Sequence, residues 1–224
     1  NLPKDVKASK ILWPGPERIP VEPLMTFGYE DEVVLLTKIY TSKNTDIPLT
    51  LNALVSWYTC KEICIPQEAK VSIPIKLGSK SPSSSYRLLK QTLENVPTPF
   101  KGTYRVQSLD DSYIIQGQFE DNKQYDSIYF FPRFYGLTDY VESQLYEKNK
   151  DSFSLQVQPS ELKIEHESFE GVLATKKDGR LSYFEINHTL NSDNSSQEFS
   201  VLTLIIFAFL GGLILNVMPC VFPI

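Results

Sequence analysis

The segment Leu49-Thr-Leu-Asn-Ala-Leu-Val-Ser-Trp-Tyr-Thr-Cys60 decides the fold class, because apolar and β-branched residues alternate along it in the pattern of a strand. Side chains of a strand point alternately to its two faces. The face that we expect to form a core carries Leu49, Leu51, Ala53, Val55, Trp57 and Thr59. Cys60 falls on the opposite, more polar face, where a partner protein can reach it.

A second cysteine, Cys64, stands four residues after Cys60. An extended chain of four residues spans roughly 13 to 14 Å, which is too far for a disulfide bond. Pairing therefore requires the chain to reverse at Lys61-Glu62-Ile63. A hairpin places flanking residues opposite each other on one face, so we expect Cys60 and Cys64 to face each other, followed by a strand over Ala69–Leu77.

The rest of the chain repeats this strand-and-turn pattern, and its aromatic fraction of 12% and 15 prolines favour strands over long helices. We predict further strands over Glu32–Tyr40, Thr103–Ser108, Tyr113–Phe119, Asp126–Phe131, Phe153–Gln158, Gly171–Thr175 and Leu181–His188. One helix is predicted over Ser85–Asn95, capped by serine, with Tyr86, Leu89 and Leu93 covering a core or sheet edge. The fold class is all-β, with β-sandwich architecture.

Two small polar stretches divide the chain, Gly78–Ser85 and Asn191–Gln197. We expect a first β-domain over residues 1–78, a linker at 79–85, a second β-sandwich over 86–190, and a polar stalk at 191–200. From Phe199 to Ile224 there is no charged residue, and about 24 residues at roughly 1.5 Å rise span the hydrocarbon core. Residues 201–224 are therefore predicted to begin a transmembrane helix.

The ends of the chain predict its compartment. The chain begins at Asn1 rather than Met, so we expect a leader to have been removed or to lie upstream. No Lys or Arg follows Arg180, whereas Asp193 and Glu198 precede the apolar segment. By the positive-inside rule, residues 1–200 are expected on the non-cytoplasmic side, a compartment that permits disulfide bonds.

Charge and cysteine content narrow the functional classes. A net charge of -5 without a basic run disfavours nucleic acid as a partner. Among three cysteines, Cys220 lies in the apolar tail, which leaves Cys60 and Cys64 as the pair of the remaining chain. The pair is interpreted as redox-active or as a structural disulfide; a Cu(I)-binding thiol pair is a third possibility. His166 and His188 are isolated and are interpreted as ordinary residues, so no metal site or cofactor is predicted.

Several segments together resemble the N-terminal module of DsbD-like transmembrane thiol:disulfide interchange proteins, especially the ScsB-like branch. They are Ile11–Arg18, Phe27–Val33, the cysteine segment Tyr58–Pro66, Tyr129–Pro132, Gly171–Leu173 and the tail Gly211–Pro223. The tail resembles the opening of the family's membrane domain, which places Cys220 at the first redox cysteine of that domain. The three-residue gap between Cys60 and Cys64 favours the ScsB-like branch, since the DsbD branch has a wider spacing.

The resemblance implies two immunoglobulin-like β-sandwich domains in series and the activity of a protein-disulfide reductase in the bacterial inner membrane and periplasm. Electrons would come indirectly from cytoplasmic thioredoxin, through the membrane domain and a thioredoxin-like C-terminal domain of the same protein. Cys60 and Cys64 would pass them to exported partners, with cytochrome c maturation among the candidate destinations. An aromatic residue shields the cysteines in some relatives, and Phe27, Tyr29 or Tyr58 is a candidate for that role. The alternative for Phe27 and Tyr29 is a place in the core, where a Phe or Tyr before a strand is more often found. The alternative function is that of a non-enzymatic, partner-binding β-sandwich.

Overall fold

The computed structural model of the chain describes residue 2 and residues 6–41, 49–60, 63–75, 82–109, 111–162 and 164–190. Fourteen strands and one helix lie in these ranges. The strands are β1 Val6–Ala8, β2 Glu17–Val21, β3 Leu24–Gly28, β4 Ile39–Thr41, β5 Leu49–Cys60, β6 Cys64–Ile75, β7 Thr98–Pro99, β8 Gly102–Ser108, β9 Tyr113–Phe119, β10 Ser127–Pro132, β11 Leu145–Lys148, β12 Phe153–Val157, β13 Ser168–Lys177 and β14 Arg180–Thr189. The helix, α1, is Tyr86–Glu94. The all-β prediction is confirmed.

The later strands form two four-stranded sheets, in the orders β10-β13-β14-β7 and β11-β12-β9-β8. Aromatic side chains pack between the sheets: Tyr113 of β9 lies 4.9 Å from Phe169 of β13, and Phe119 of β9 lies 5.5 Å from Phe184 of β14, measured between ring centroids. Burial alternates along these strands, as it does along β12, because one face of each sheet faces the core. This part of the chain is a β-sandwich.

Earlier strands form only two-stranded pairs: β1 with β4, β2 with β3, and β5 with β6. Within the described ranges, Val6 is the one buried hydrophobic residue that precedes Val106. Phe27 of β3 packs on the buried group formed by Phe131, Ala174 and Tyr183 of the sandwich. The hydrophobic core therefore lies in the sandwich, and the β2–β3 hairpin is attached to it through Phe27.

The prediction that Val55 and Trp57 lie in a core is wrong. Their side chains are 40% and 41% exposed, although they share one face of β5 as the alternation requires. The ribbon of β5 and β6 is two-stranded, and no third strand among the described residues pairs with it. Alternation fixes which side chains share a face, but a second layer is needed to bury that face.

The strand predicted over Glu32–Tyr40 is shorter in the structure, where only Ile39–Thr41 forms β4. Its ladder ends early because its partner, β1, is three residues long. Upstream, Asp31 has a positive φ of 57°, a conformation that breaks an extended run, and Leu36 forms an isolated bridge with Leu12. In this segment, the predicted strand therefore forms only where a partner strand pairs with it.

Helix α1 confirms the predicted helix to within one residue at each end, with Ser85 at its N-cap position. The Ser85 side chain makes no capping hydrogen bond. Tyr86, Leu89 and Leu93 are all exposed, so the prediction that they cover a core or sheet edge is wrong. Thr92 is the buried residue of the helix, and its hydroxyl donates to the carbonyl of Leu88.

The boundary predictions have different outcomes. Residues up to Thr189 form one compact unit. The division of the first 189 residues into two domains at a 79–85 linker stays a prediction. The stalk at 191–200, the transmembrane segment at 201–224 and Cys220 lie outside the described residues. In the parts of the chain that are described, no helix has the length and apolarity to cross a membrane.

The sandwich protects one of its sheet edges with a side chain. Strand β10 is an edge strand, and the Phe130 amide donates to Gln144 Oε1 at 2.7 Å while Gln144 Nε2 donates to the Phe130 carbonyl at 2.8 Å. The Gln144 carboxamide thus occupies the N–H and the C=O of Phe130, the two backbone groups with which another strand would pair at this position. Natural sheets block edges in such ways because an open edge pairs with other chains.

Candidate redox site

The site is a disulfide bond that closes the tip of the β5–β6 ribbon. Cys60 and Cys64 are bonded, with an Sγ–Sγ distance of 2.02 Å and a Cα–Cα distance of 4.0 Å. Cys60 ends β5, Cys64 begins β6, and the register places them directly opposite each other. The predicted chain reversal and pairing are confirmed; Lys61 and Glu62 lie outside the described residues.

The disulfide lies on the more polar face of the ribbon, as the alternation predicts. Tyr58, Pro66 and Glu68 share this face with the two cysteines, whereas Thr59, Ile65 and Gln67 lie on the other. Both cysteines are exposed. The exposure of both residues is the condition under which a thiolate of another protein can attack the disulfide.

Tyr58 is the candidate shielding residue that the structure places beside the cysteines. It lies two residues before Cys60, on the same face and opposite Pro66, with 72% of its surface exposed. Ile63, between the cysteines, is 73% exposed. The tip of the ribbon therefore presents apolar side chains around the sulfur atoms. A shielding role for Tyr58 stays a prediction.

Phe27, the second candidate, packs in an aromatic group of the sandwich. Its ring centroid lies 4.5 Å from that of Tyr140, 5.0 Å from Phe131 and 6.2 Å from Tyr129. Arg18, opposite Phe27 in β2, stacks over the ring of Tyr129 at 4.7 Å. These contacts attach the β2–β3 hairpin to β10, in agreement with the alternative that Phe27 is a core residue, and shielding by Phe27 stays a prediction.

Tyr29, the third candidate, is half-buried and stacks on Trp13 at 6.3 Å between ring centroids. Its hydroxyl donates to the Pro14 carbonyl at 2.7 Å. Burial raises the pKa of Tyr29 to about 12, with smaller contributions from Tyr183 and from the Glu17 carboxylate. These contacts tie Tyr29 to the N-terminal segment, and its shielding role likewise stays a prediction.

The raised pKa of Tyr29 predicts a loss of stability in alkali. A tyrosine in an unfolded chain has a pKa of about 10, so between about pH 10 and 12 the unfolded chain releases a proton that the folded chain retains, and the free energy of unfolding falls. Below about pH 10 the contribution is fully present. We expect Tyr29→Phe to lose less unfolding free energy than the wild type between about pH 10 and 12, measured by urea unfolding at the two pH values. An equal loss in variant and wild type would contradict this.

The two histidines lie in the later part of the chain. The His166 ring stacks on Phe134 at 5.6 Å, and His188 lies 6.5 Å from Tyr104. No cluster of three or more His, Cys, Asp or Glu residues capable of holding a metal ion occurs among the described residues.

Comparison with known proteins gives the site a family context. Residues 1–75 match the family model described as thiol:disulfide interchange protein DsbD, N-terminal. The structure is similar to that of the N-terminal periplasmic domain of ScsB from Proteus mirabilis, with 19% sequence identity, a TM-score of 0.56, and coverage of 83% of this chain and 77% of that chain. No match was found among curated proteins. The inferred resemblance is thereby confirmed: residues 1–75 carry the N-terminal sequence pattern of the DsbD family, and the chain shares the fold of the ScsB N-terminal domain.

Proposed function

We propose that this chain is a thiol:disulfide interchange module whose working group is the Cys60–Cys64 pair. The observation that carries the proposal is an exposed disulfide at the tip of a ribbon, within the segment that matches the DsbD N-terminal family. Structural disulfides resist reduction, whereas exposed disulfides are typically the labile ones that are open to exchange.

The reaction is a two-electron exchange between dithiols and disulfides. A thiolate of a reduced partner attacks one sulfur of the pair, the Cys60–Cys64 bond breaks, and the released cysteine leaves as a thiolate that takes up a proton. The second partner thiolate then attacks the mixed disulfide, which leaves the partner oxidised and both cysteines reduced. Reversal of these steps on an oxidised substrate protein passes the electrons onward, as a protein-disulfide reductase does.

The proposed setting follows from the family resemblance. Electrons from cytoplasmic thioredoxin would cross the inner membrane through the membrane domain, in which Cys220 would be the first redox cysteine. They would reach Cys60 and Cys64 through a thioredoxin-like C-terminal domain, with residues 1–200 in the periplasm. The similarity to the structure of the N-terminal periplasmic domain of ScsB supports this placement. Exported thiol:disulfide partners would be the acceptors.

Redox titration tests the proposal against its alternative, a structural disulfide in a partner-binding module. We expect the Cys60–Cys64 pair to have a potential above about -300 mV, because exposed exchangeable disulfides are less reducing than structural ones. The measurement equilibrates the chain in glutathione buffers and counts alkylated thiols by mass. A potential far below that value would make the pair structural. Repeating the titration with Cu(I) tests the alternative that the two thiols bind this ion. Bound Cu(I) would protect the reduced thiols of Cys60 and Cys64 from alkylation although no disulfide has formed.

A further inference from the structure

The two edges of the β5–β6 ribbon differ in their hydrogen-bonding groups, and two prolines reveal the pattern. Opposed residues in an antiparallel ladder alternate between hydrogen-bonded and non-hydrogen-bonded pairs. Pro66 is opposite Tyr58 and Pro74 is opposite Thr50. Proline has no N–H, so neither pair can be of the hydrogen-bonded kind. Cys60 and Cys64 lie two residues further along the ladder, so they also form a non-hydrogen-bonded pair. Their short Cα–Cα distance of 4.0 Å agrees with this assignment.

Residues of non-hydrogen-bonded pairs direct their N–H and C=O groups away from the partner strand, toward the outer edge. On β5 the outward positions are Thr50, Asn52, Leu54, Ser56, Tyr58 and Cys60. On β6 they are Cys64, Pro66, Glu68, Lys70, Ser72 and Pro74. Each edge therefore carries a row of backbone groups that ends at one cysteine of the disulfide.

Only the β6 edge is protected. Two of its outward positions are proline and two are charged, which are devices that prevent a further strand from pairing. Strand β5 has neither proline nor a charged residue over its twelve positions. Leu54 and Tyr58, both at outward positions, are 59% and 72% exposed, and no strand of the described ranges pairs along this edge. Among the described residues, no side chain occupies this edge as Gln144 occupies the edge of β10.

We propose that the outer edge of β5 is the docking site for an extended segment of the thiol-bearing partner protein, which adds to the ribbon as a third strand beside Cys60. The inference rests on the proposed function, since the partner must reach the disulfide. A row of alternating N–H and C=O groups is complementary to an extended backbone. Because the row ends at Cys60, a segment paired along it brings its own side chains to the disulfide face.

Proline substitution at matched outward positions tests the docking strand. Ser56 and Glu68 are directly opposite each other, so Ser56→Pro and Glu68→Pro each remove one outward N–H at the same level of the ribbon and spare its ladder. We expect Ser56→Pro to slow reduction of the oxidised chain by the reduced thioredoxin-like domain about tenfold, and Glu68→Pro to change it by less than about twofold. Thiol alkylation follows the reaction.

Dithiothreitol is the control reductant, because a small dithiol needs no docking strand. Its reduction rate should be the same for both variants and wild type, which also verifies that the disulfide remains accessible. Ser56→Lys provides a second variant if Ser56→Pro fails to fold, since lysine at this edge hinders strand addition and stands opposite Glu68. Equal effects of the two prolines, or slowing by Glu68→Pro alone, would overturn the docking strand. A wild-type chain reduced by dithiothreitol but never by the protein dithiol would instead refute the proposed function.

Discussion

Replacement of either Cys60 or Cys64 by serine is expected to abolish electron transfer through this chain, with turnover falling at least about a thousandfold, to the background of the assay. A single cysteine can form a mixed disulfide but cannot release the partner by closing an internal bond, so the two-electron cycle stops halfway. The measurement is reduction of an oxidised acceptor protein by the reduced thioredoxin-like domain, with this chain as the intermediate. Incubated with the oxidised acceptor alone, each variant should form a mixed disulfide, because its remaining cysteine thiolate attacks the acceptor disulfide and one acceptor cysteine leaves as a thiolate.

The loss should come from chemistry rather than from unfolding. The disulfide closes a loop with a sequence separation of four residues, for which chain-entropy estimates give only about 2 kcal/mol of stabilisation. Ser72→Ala, on the same face of the ribbon but far from the cysteines, serves as the control and should retain full turnover. If Cys60→Ser or Cys64→Ser sustained turnover at the wild-type rate, the pair would not be the working group.

The geometry of the cysteine hairpin could be predicted because it depends on neighbours in sequence. Twelve alternating residues define β5, and the four-residue spacing permits a disulfide only if the chain reverses between Cys60 and Cys64. The positions of Pro66 and Pro74 in the sequence also indicate the register of the hairpin. Since Cys64, Pro66 and Pro74 are separated by even numbers of residues, the register that pairs the cysteines also places both prolines where no N–H is required.

The packing of side chains could not be predicted in the same way, because it depends on segments distant in sequence. Trp57 lies on an apolar face, but its exposure depends on whether another layer meets that face. The sequence places Phe27 next to a predicted strand but does not identify its neighbours in the fold. The structure shows that it packs among Tyr129, Phe131 and Tyr140, which lie more than a hundred positions away in the chain. Residues that end a ladder, such as those before β4, likewise depend on the length of a remote partner strand.

The sandwich and the β5–β6 ribbon differ in the interactions that stabilise them. The sandwich is stabilised by aromatic and aliphatic side chains buried between its sheets. The β5–β6 ribbon has exposed residues on both faces, and its tip is held by the disulfide. An isolated two-stranded ribbon is marginal in water, so strand addition at β5 during partner binding would also stabilise the ribbon. Stability and redox function are therefore expected to respond to different substitutions.

Phe130→Ala should cause the largest loss of folding stability, about 3–5 kcal/mol. Phe130 is fully buried, and its ring stacks on Phe169 with 4.4 Å between ring centroids and 18° between planes. A β-carbon on Gly171, in the neighbouring strand, would overlap the Phe130 ring. The ring therefore fills the space above Gly171 completely. Removing it leaves a cavity in a close-packed core. Urea unfolding followed by far-ultraviolet circular dichroism measures the loss.

Tyr135→Ala is the control, because that side chain is 71% exposed and its removal should change the unfolding free energy by less than about 0.5 kcal/mol. The m-value should stay constant if both variants unfold as the wild type does. While Phe130→Ala remains folded, its disulfide should keep the wild-type redox potential, because Phe130 lies in the sandwich and the cysteines end the ribbon. An unchanged urea midpoint in Phe130→Ala would show that Phe130 does not anchor the core, and a shifted potential would show that sandwich packing and the redox pair are coupled.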